Sequence, residues 1–319
     1  MKKTIAVLMA LIMVLSLAAC GSGKEKGSKW TVGVCQLVQH PALDLATQGF
    51  IDAVKEGLGE ENVTVIEQNA SGEVASCTTI VNDLISRKVD LIMANATPAL
   101  QAAAQATAEI PVLGTSITDY ASALDIADWN GTVGTNVSGA SDLAPLDQQA
   151  AMIKEWFPEA KNVAIIYCNS EANSIYQAVN ISKYLADMGI ETKDFPFTDT
   201  NDVASVTQAA CQYADVIYIP TDNVAASNTE AIANIVLAEK VPVIAGEKDT
   251  CAGCGVATLS IDYYDLGVTT GKMAVKILKD GADVSSMPIE YALNLTKYYN
   301  KDNCEALGLT PLEGYAAIE

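Results

Sequence analysis

KWTVGVCQ at residues 29–36 and KNVAIIYC at residues 161–168 decide the fold of this 319-residue chain. Each sets a lysine ahead of an apolar run of strand length, and each is followed by apolar residues at helical spacing. The likeness continues downstream. VDLIMANATP at residues 89–98 is answered by ADVIYIPTDN at 214–223, and EIPVLGTS at 109–116 by KVPVIAGE at 240–247. Correspondences in one order at similar separations indicate a duplicated structural unit.

Within each unit, strands alternate with helices. After the strand at 31–36, residues 41–58 place Ala42, Leu45, Ala46, Phe50, Ala53 and Val54 on one helical face, and Gly57 and Gly59 end the helix. Strands at 63–67, 89–94 and 110–115 then alternate with helices at 74–87 and 98–108. Such alternation gives a parallel sheet covered on both faces. The expected fold class is α/β, with two Rossmann-like lobes. WNGTVGTNVSGAS at 129–141 is rich in glycine, asparagine and small hydroxyl residues and reads as a crossing between lobes. Residues 256–261 and 289–295 read as two more, which makes a three-segment hinge. The first lobe is expected to hold 30–140 plus 260–290, the second 141–259 plus 291–319.

The beginning of the chain carries a different signal. Lys2 and Lys3 precede an apolar stretch at 5–17, and Ala18 and Ala19 lead to Cys20, which is the pattern of a secretory signal over residues 1–19. The stretch is short for a helix that needs ~20 residues to span a bilayer. Leu17-Ala18-Ala19-Cys20 resembles the bacterial lipobox, which implies acylation of Cys20, palmitate included, and a protein held on the outer side of the cell membrane. GSGKEKGSK at 21–29 then reads as a flexible tether.

Composition excludes some partners. With 19 Lys+Arg against 39 Asp+Glu the formal net charge is −20, so nucleic acid is a poor partner, and so is an anionic membrane surface. Arg87 is the only arginine, so an anionic ligand group has to be met mainly by lysine, hydroxyls or backbone N–H. Cys35, Cys77, Cys168 and Cys211 sit in apolar patterns as small hydrophobes. Cys251 and Cys254 read as a local disulfide or as free thiols. The single histidine, His40, and the lack of a second cysteine pair argue against a metal.

In an open parallel sheet, ligands meet the loops beyond the carboxyl ends of the strands. Those loops supply Gln36, His40, Thr97, Thr115, Ser116, Thr118 and Asp119 from the first unit, and Ser170, Glu171, Asn173, Asp222, Asn223 and Glu247 from the second; Asp262 follows the second crossing. Helix capping is an equal alternative for Ser170, Asn173 and Asp222. His40 serves equally as a capping or packing residue and as a ligand contact. The chain contains no G-x-S-x-G, Walker loop, G-x-G-x-x-G after a strand or metal motif, so catalysis ranks low and no cofactor is expected.

With these loops placed, the chain resembles the type I periplasmic-binding-protein fold and, within it, ABC-transporter substrate-binding lipoproteins that include tryptophan- and tyrosine-binding members. The residues that carry the resemblance are QLVQHPALD at 36–44, ATP at 96–98, GTSITD at 114–119 and GTNVSG at 134–139. In the second half they are Tyr167, NSEANS at 169–174, PTDN at 220–223, Gly246-Glu247 and IDYY at 261–264. Tyr120 departs from the proline found there in many relatives. The resemblance implies a monomeric receptor that binds an amino acid, aromatic by preference, and passes it to separately encoded permease and ATPase subunits. Asp119, Asp222, Glu247 and Asp262 are suited to an α-ammonium, and Thr97, Thr115, Ser116 and Ser170, with helix N-termini, to an α-carboxylate. Leu37, Tyr120, Ile175, Tyr176 and Tyr263 are candidate walls for the side chain. A sugar or signalling-molecule receptor of the same fold is the alternative, and a surface enzyme using Cys251 or His40 ranks third. At 6% aromatics with one arginine, a sugar site is disfavoured.

Overall fold

The computed structural model describes residues 29–292 and 294–318. The expected signal segment, Cys20 and the tether up to Ser28 lie outside them. Among the described residues no helix is long and apolar enough to cross a membrane.

The strands form two sheets. The first contains β1 (Trp30–Gln36), β2 (Val63–Asn69), β3 (Leu91–Asn95), β4 (Val112–Ile117) and β5 (Val137–Ser141). The second contains β6 (Asn162–Cys168), β7 (Glu191–Phe197), β8 (Val216–Ile219), β9 (Val243–Ala245) and β10 (Ala257–Ser260). A short strand, β11 (Glu290–Tyr291), extends the first sheet, while β12 (Thr296–Tyr299) and β13 (Ala316–Ala317) extend the second. The orders are β11-β5-β4-β3-β1-β2 and β13-β12-β10-β9-β8-β6-β7. Stripped of the added strands they are one topology used twice, which is the internal repeat of the sequence expressed as structure. Pairing is parallel throughout except for β10 with β12. Every residue of β3, β4 and β8 is buried, as strands covered on both faces require. This is the expected α/β fold class.

The chain passes between the sheets three times: after Ser141, after Ser260 and between Tyr291 and Thr296. The third passage lies within the crossing expected over 289–295, but it is not one continuous segment of a hinge. Instead the two-residue β11 pairs with β5, and the chain then turns into β12, antiparallel to β10.

The second passage leads into the helix Tyr263–Asp280, which returns to lie on the helix Pro41–Leu58. Glycines set the spacing between them. A Cβ on Gly267 would stand 2.0 Å from the Ala46 carbonyl oxygen, and one on Gly49 would stand 2.2 Å from the Tyr264 carbonyl oxygen. These are backbone contacts, which cannot give way as a side chain can. Because Tyr263 opens the second helix, this contact also fixes a residue of the cleft described below.

Gly267→Ala is therefore expected to destabilise the fold by about 1–3 kcal/mol, the usual cost of overpacking. Gly57→Ala, which meets only the Val275 side chain, is expected to cost less. Urea denaturation of both variants checks this, and equal midpoints would contradict it.

Candidate functional site

The carboxyl ends of the two sheets face one another across a narrow cavity of about 10 Å³, the space of roughly one water. The first half contributes His40, Ala42, Leu43, Ser116 and Thr118, and the second Asn173, Thr221, Asp222, Asn223, Ala226 and Glu247. Asp142, on the first passage between sheets, and Tyr263, just after the second, complete the lining. No lysine or arginine is among these residues. The ion pairs described for Lys55, Arg87, Lys276 and Lys297 are all on the surface.

Asp142 is 4% exposed and its carboxylate meets no cation. Thr118 Oγ1 donates to its Oδ1 at 3.1 Å and the Tyr263 hydroxyl to its Oδ2 at 3.0 Å. Two neutral donors only partly replace the water lost on burial. Burial pushes its pKa up to about 6, against the hydrogen bonds from Tyr263, Thr118 and its own backbone amide that lower it. The sequence reading missed Asp142. The rule that located the other loops, applied to the carboxyl end of β5, would have reached it.

The other buried acids hold helix starts. Asp222 accepts from Ala225 N at 2.8 Å and from Cys168 N at 2.6 Å, and Glu247 accepts from Asp249 N at 2.6 Å and from Thr250 N. Burial raises both pKa values. Their carboxylates thus do the capping work that sequence allowed for Asp222 while also facing the cavity. Glu171 lies one layer behind. It is 3% exposed and accepts from Asn173 Nδ2 at 3.0 Å, Asn223 Nδ2 at 2.6 Å, and the amides of Asn223 and Val224, each at 3.3 Å.

Three cavity residues keep a buried polar atom without a partner: His40 Nδ1, Ser116 Oγ and Asn173 Oδ1. Asn95 Oδ1 and Thr97 Oγ1, at the adjoining end of β3, are in the same condition. Orphans of this kind each cost about 1–3 kcal/mol. The backbone adds strain beside them, because Ala96 has φ 87° and Ser116 φ 56°, a region that residues with a Cβ rarely occupy. At Ser116 the register of β4 against β5 shifts between Gly114 and Ile117. Both features occur together where the sheets meet.

Besides the two bonds received by Asp142, two hydrogen bonds cross the cleft. His40 Nε2 lies 3.2 Å from Asn223 Oδ1, and Gln177 Nε2 donates to Thr118 Oγ1 at 3.5 Å. His40 is 8% exposed, and burial lowers its pKa, which favours the neutral ring, although Asn223 and nearby carboxylates oppose the shift.

Of the residues named from sequence, His40, Ser116, Thr118, Asn173, Asp222, Asn223 and Glu247 come together in the cavity. The rest do not line it. Gln36 is spent on Val38 O, Asp44 and Thr47, and Thr115 accepts from Thr270 Oγ1. Asp119 caps the helix Tyr120–Ala123 through Ser122 N, and Asp262 caps the helix Tyr263–Asp280 through Asp265 N. Ser170 and Glu171 line a wider neighbouring hollow of about 480 Å³, together with Leu37 and Pro98. Among the candidate walls, Tyr263 faces the cavity. Tyr120 does not: it is 1% exposed, its hydroxyl donating to Gly114 O at 2.9 Å, in space left by Gly114 and Gly139. Ile175 is exposed and Tyr176 half-buried, outside the cavity lining.

Cys251 and Cys254 are buried free thiols in the helix Lys248–Cys254, with Cys254 Sγ donating to Thr250 O. Burial raises both pKa values, away from a reactive thiolate.

Residues 31–315 match the family described as ABC transporter substrate binding protein. The tyrosine-binding protein of Clostridioides difficile is 31% identical over 98% of this chain and 94% of its own length. A solved ABC domain in complex with L-Trp from Streptococcus pneumonia is 32% identical with a TM-score of 0.87, over 91% of this chain and 100% of that one. The ligand-free, open structure of a substrate binding protein with adhesive properties from Clostridium difficile is 34% identical with a TM-score of 0.70, over 91% and 99%. The fold is that of type I periplasmic-binding proteins.

Raised carboxylates bind protons more tightly in the folded than in the unfolded chain, so their stability contribution is full below the ordinary carboxylate range. It is lost as pH rises through about 6, the folded value of both Asp142 and Asp249, and about 7, that of Glu171, and these acids together outweigh the opposite contribution of the one lowered histidine, His40. The urea midpoint is expected to be higher at about pH 5 than at about pH 8. An unchanged or rising midpoint would show that these acids are not buried in solution.

Proposed function

We propose that this chain, which belongs to the ABC transporter substrate-binding protein family, captures a free amino acid with an aromatic side chain between its two sheets and hands it to an importer. As a member of that family it is a solute-binding protein rather than an enzyme. The observation that carries the choice of ligand is the cavity itself: Asp142, Asp222 and Glu247 face it, no lysine or arginine does, and three polar atoms in it lack partners. A cationic ammonium is the group that relieves buried carboxylates, and Asp142 is the carboxylate whose oxygens are least engaged by backbone. The ligand carboxylate, with no arginine to pair with, is held by the hydroxyl of Ser116 and by amides at helix starts. Leu43, Ala42, Ala226 and Tyr263 give the side chain an apolar and aromatic wall.

Relatives support the aromatic class. One is a tyrosine-binding protein and another was solved with L-Trp. The greater overall likeness to the L-Trp complex than to the open structure, at nearly equal identity, supports a closed arrangement of the present sheets. Uptake then requires the lobes to part, since about 10 Å³ admits no amino acid. The lobes of this proposal are those expected from the sequence, 30–140 with 260–290 and 141–259 with 291–319. Lipidation of Cys20 belongs to the same proposal and places the receptor outside the membrane beside its permease and ATPase.

Isothermal titration with L-tyrosine, L-tryptophan, L-phenylalanine, 3-(4-hydroxyphenyl)propionate and D-ribose tests the reading. Saturable binding of one or more of the three amino acids, and none of ribose or the deaminated acid, is expected. Asp142→Asn is expected to weaken that binding on the order of 10- to 100-fold, the worth of a hydrogen bond to a charged group. Binding of ribose alone, or full affinity in Asp142→Asn, would overturn it.

A further inference from the structure

Glu171 is surrounded by donors. Its two oxygens face Asn173 Nδ2, Asn223 Nδ2 and the backbone N–H groups of Asn223 and Val224. An acceptor-only neighbour of this kind settles which way the Asn223 amide points, because turning it over would bring Oδ1 against the Glu171 carboxylate. With Nδ2 held at 2.6 Å by Glu171, Oδ1 is left for His40 Nε2 at 3.2 Å. Oδ1 is an acceptor only, so His40 Nε2 has to carry the proton. In a neutral imidazole the other nitrogen, Nδ1, is then a bare lone pair.

Nδ1 is the atom left without a partner. His40 caps the helix Pro41–Leu58 by position only, with no side-chain capping bond. Its Nδ1 is buried and unpaired although the residue lines the cavity. A buried acceptor in that condition selects for a donor. The chain of bonds also spans the cleft, since Glu171 and Asn223 follow β6 and β8 in the second half whereas His40 follows β1 in the first.

The geometry points to a Glu171–Asn223–His40 relay that forms when the lobes meet, fixes His40 as its Nε2–H tautomer and presents Nδ1 as a hydrogen-bond acceptor to the ligand. Glu171 and Asn223 are positioning residues; His40 touches the ligand and determines specificity. The inference rests on the binding reading above and deepens it. The donor comes from an ammonium or from a phenol hydroxyl, and in either case a ligand offering only acceptors at this point is rejected. The carboxylates of Asp44, Asp222 and Asp249 lie around the ring, and burial opposes its protonation.

His40 is the chain's only histidine, so nitrogen-15 correlation spectra of its imidazole need no assignment. Burial, with Asp222 beside it, pushes the Glu171 carboxyl up to about 7, so the intact mature chain at about pH 8, where Glu171 is mostly ionised, is expected to show a pyrrole-type Nε2 and a pyridine-type Nδ1. A protonated Nδ1 or an imidazolium would overturn the relay, whatever the ligand. On titration Nδ1 is expected to shift as it accepts a bond: with L-phenylalanine and L-tyrosine alike if the ammonium is the donor, with L-tyrosine alone if the hydroxyl is. Binding seen by calorimetry with Nδ1 unmoved would also overturn it. If none of the amino acids binds, the ligand proposal fails while the tautomer still reads the relay. Glu171→Gln, able to donate, is expected to let Asn223 turn and give a mixture of tautomers. A loss of stability in this variant with the tautomer unchanged would mean that Glu171 only supports the fold.

Discussion

A carboxylate buried without a cation organises this cleft. Asp142 sits where the chain first leaves one sheet for the other, and its two oxygens collect Thr118 from the end of β4 and Tyr263 from the start of the helix that follows the second passage. Three separate parts of the chain are therefore referred to one charge. Burying that charge is unfavourable, as its raised pKa shows. The protein tolerates the cost because the surrounding architecture leaves Asp142 no other place. The glycine-spaced contact between the helices Pro41–Leu58 and Tyr263–Asp280 fixes Tyr263, and the β4–β5 pairing fixes Thr118.

The same economy recurs through the cavity. Asp222, Glu247 and Glu171 stabilise helix starts with the carboxylates they bring to the cleft or its edge, and His40 Nδ1, Ser116 Oγ and Asn173 Oδ1 stay unsatisfied. Left-handed backbone at Ala96 and Ser116 adds strain at the same level of the molecule. A site assembled from uncompensated groups is one in which a ligand of complementary charge gains more than it would from a satisfied surface. On the proposed reading, closure and recognition become a single event, because the groups that need partners come from both halves of the chain.

How much of this could be read from the sequence depended on whether the signal was local. The paired runs KWTVGVCQ and KNVAIIYC became β1 and β6, each flanked by the same neighbours, because apolar periodicity and strand order are written into the residues. His40, Asn173, Asn223 and Glu247 were legible because loops after parallel strands face the crevice by topology alone. Side-chain direction was not legible. Asp119 and Asp262 turned outward to cap their own helices, Gln36 was consumed by Asp44 and Thr47, and Tyr120 went into the core under glycines whose spacing no pattern reveals. Asp142 was missed because the glycine- and asparagine-rich run before it reads as a crossing and not as the strand β5, so the loop rule was not applied at its carboxyl end. The wide hollow beside the cavity, formed by segments distant in sequence such as Leu37, Thr198 and Ser227, likewise had no local signature.

The central claim is that a ligand ammonium meets a buried, proton-holding Asp142. Calorimetry of amino-acid binding in buffers of differing ionisation heat measures it directly, through the protons exchanged on binding. Near pH 6, where Asp142 is part-protonated, binding is expected to release protons, and the release is expected to fade by about pH 8 and to vanish in Asp142→Asn. Binding with no proton exchange near pH 6, or with proton uptake there, would contradict the claim.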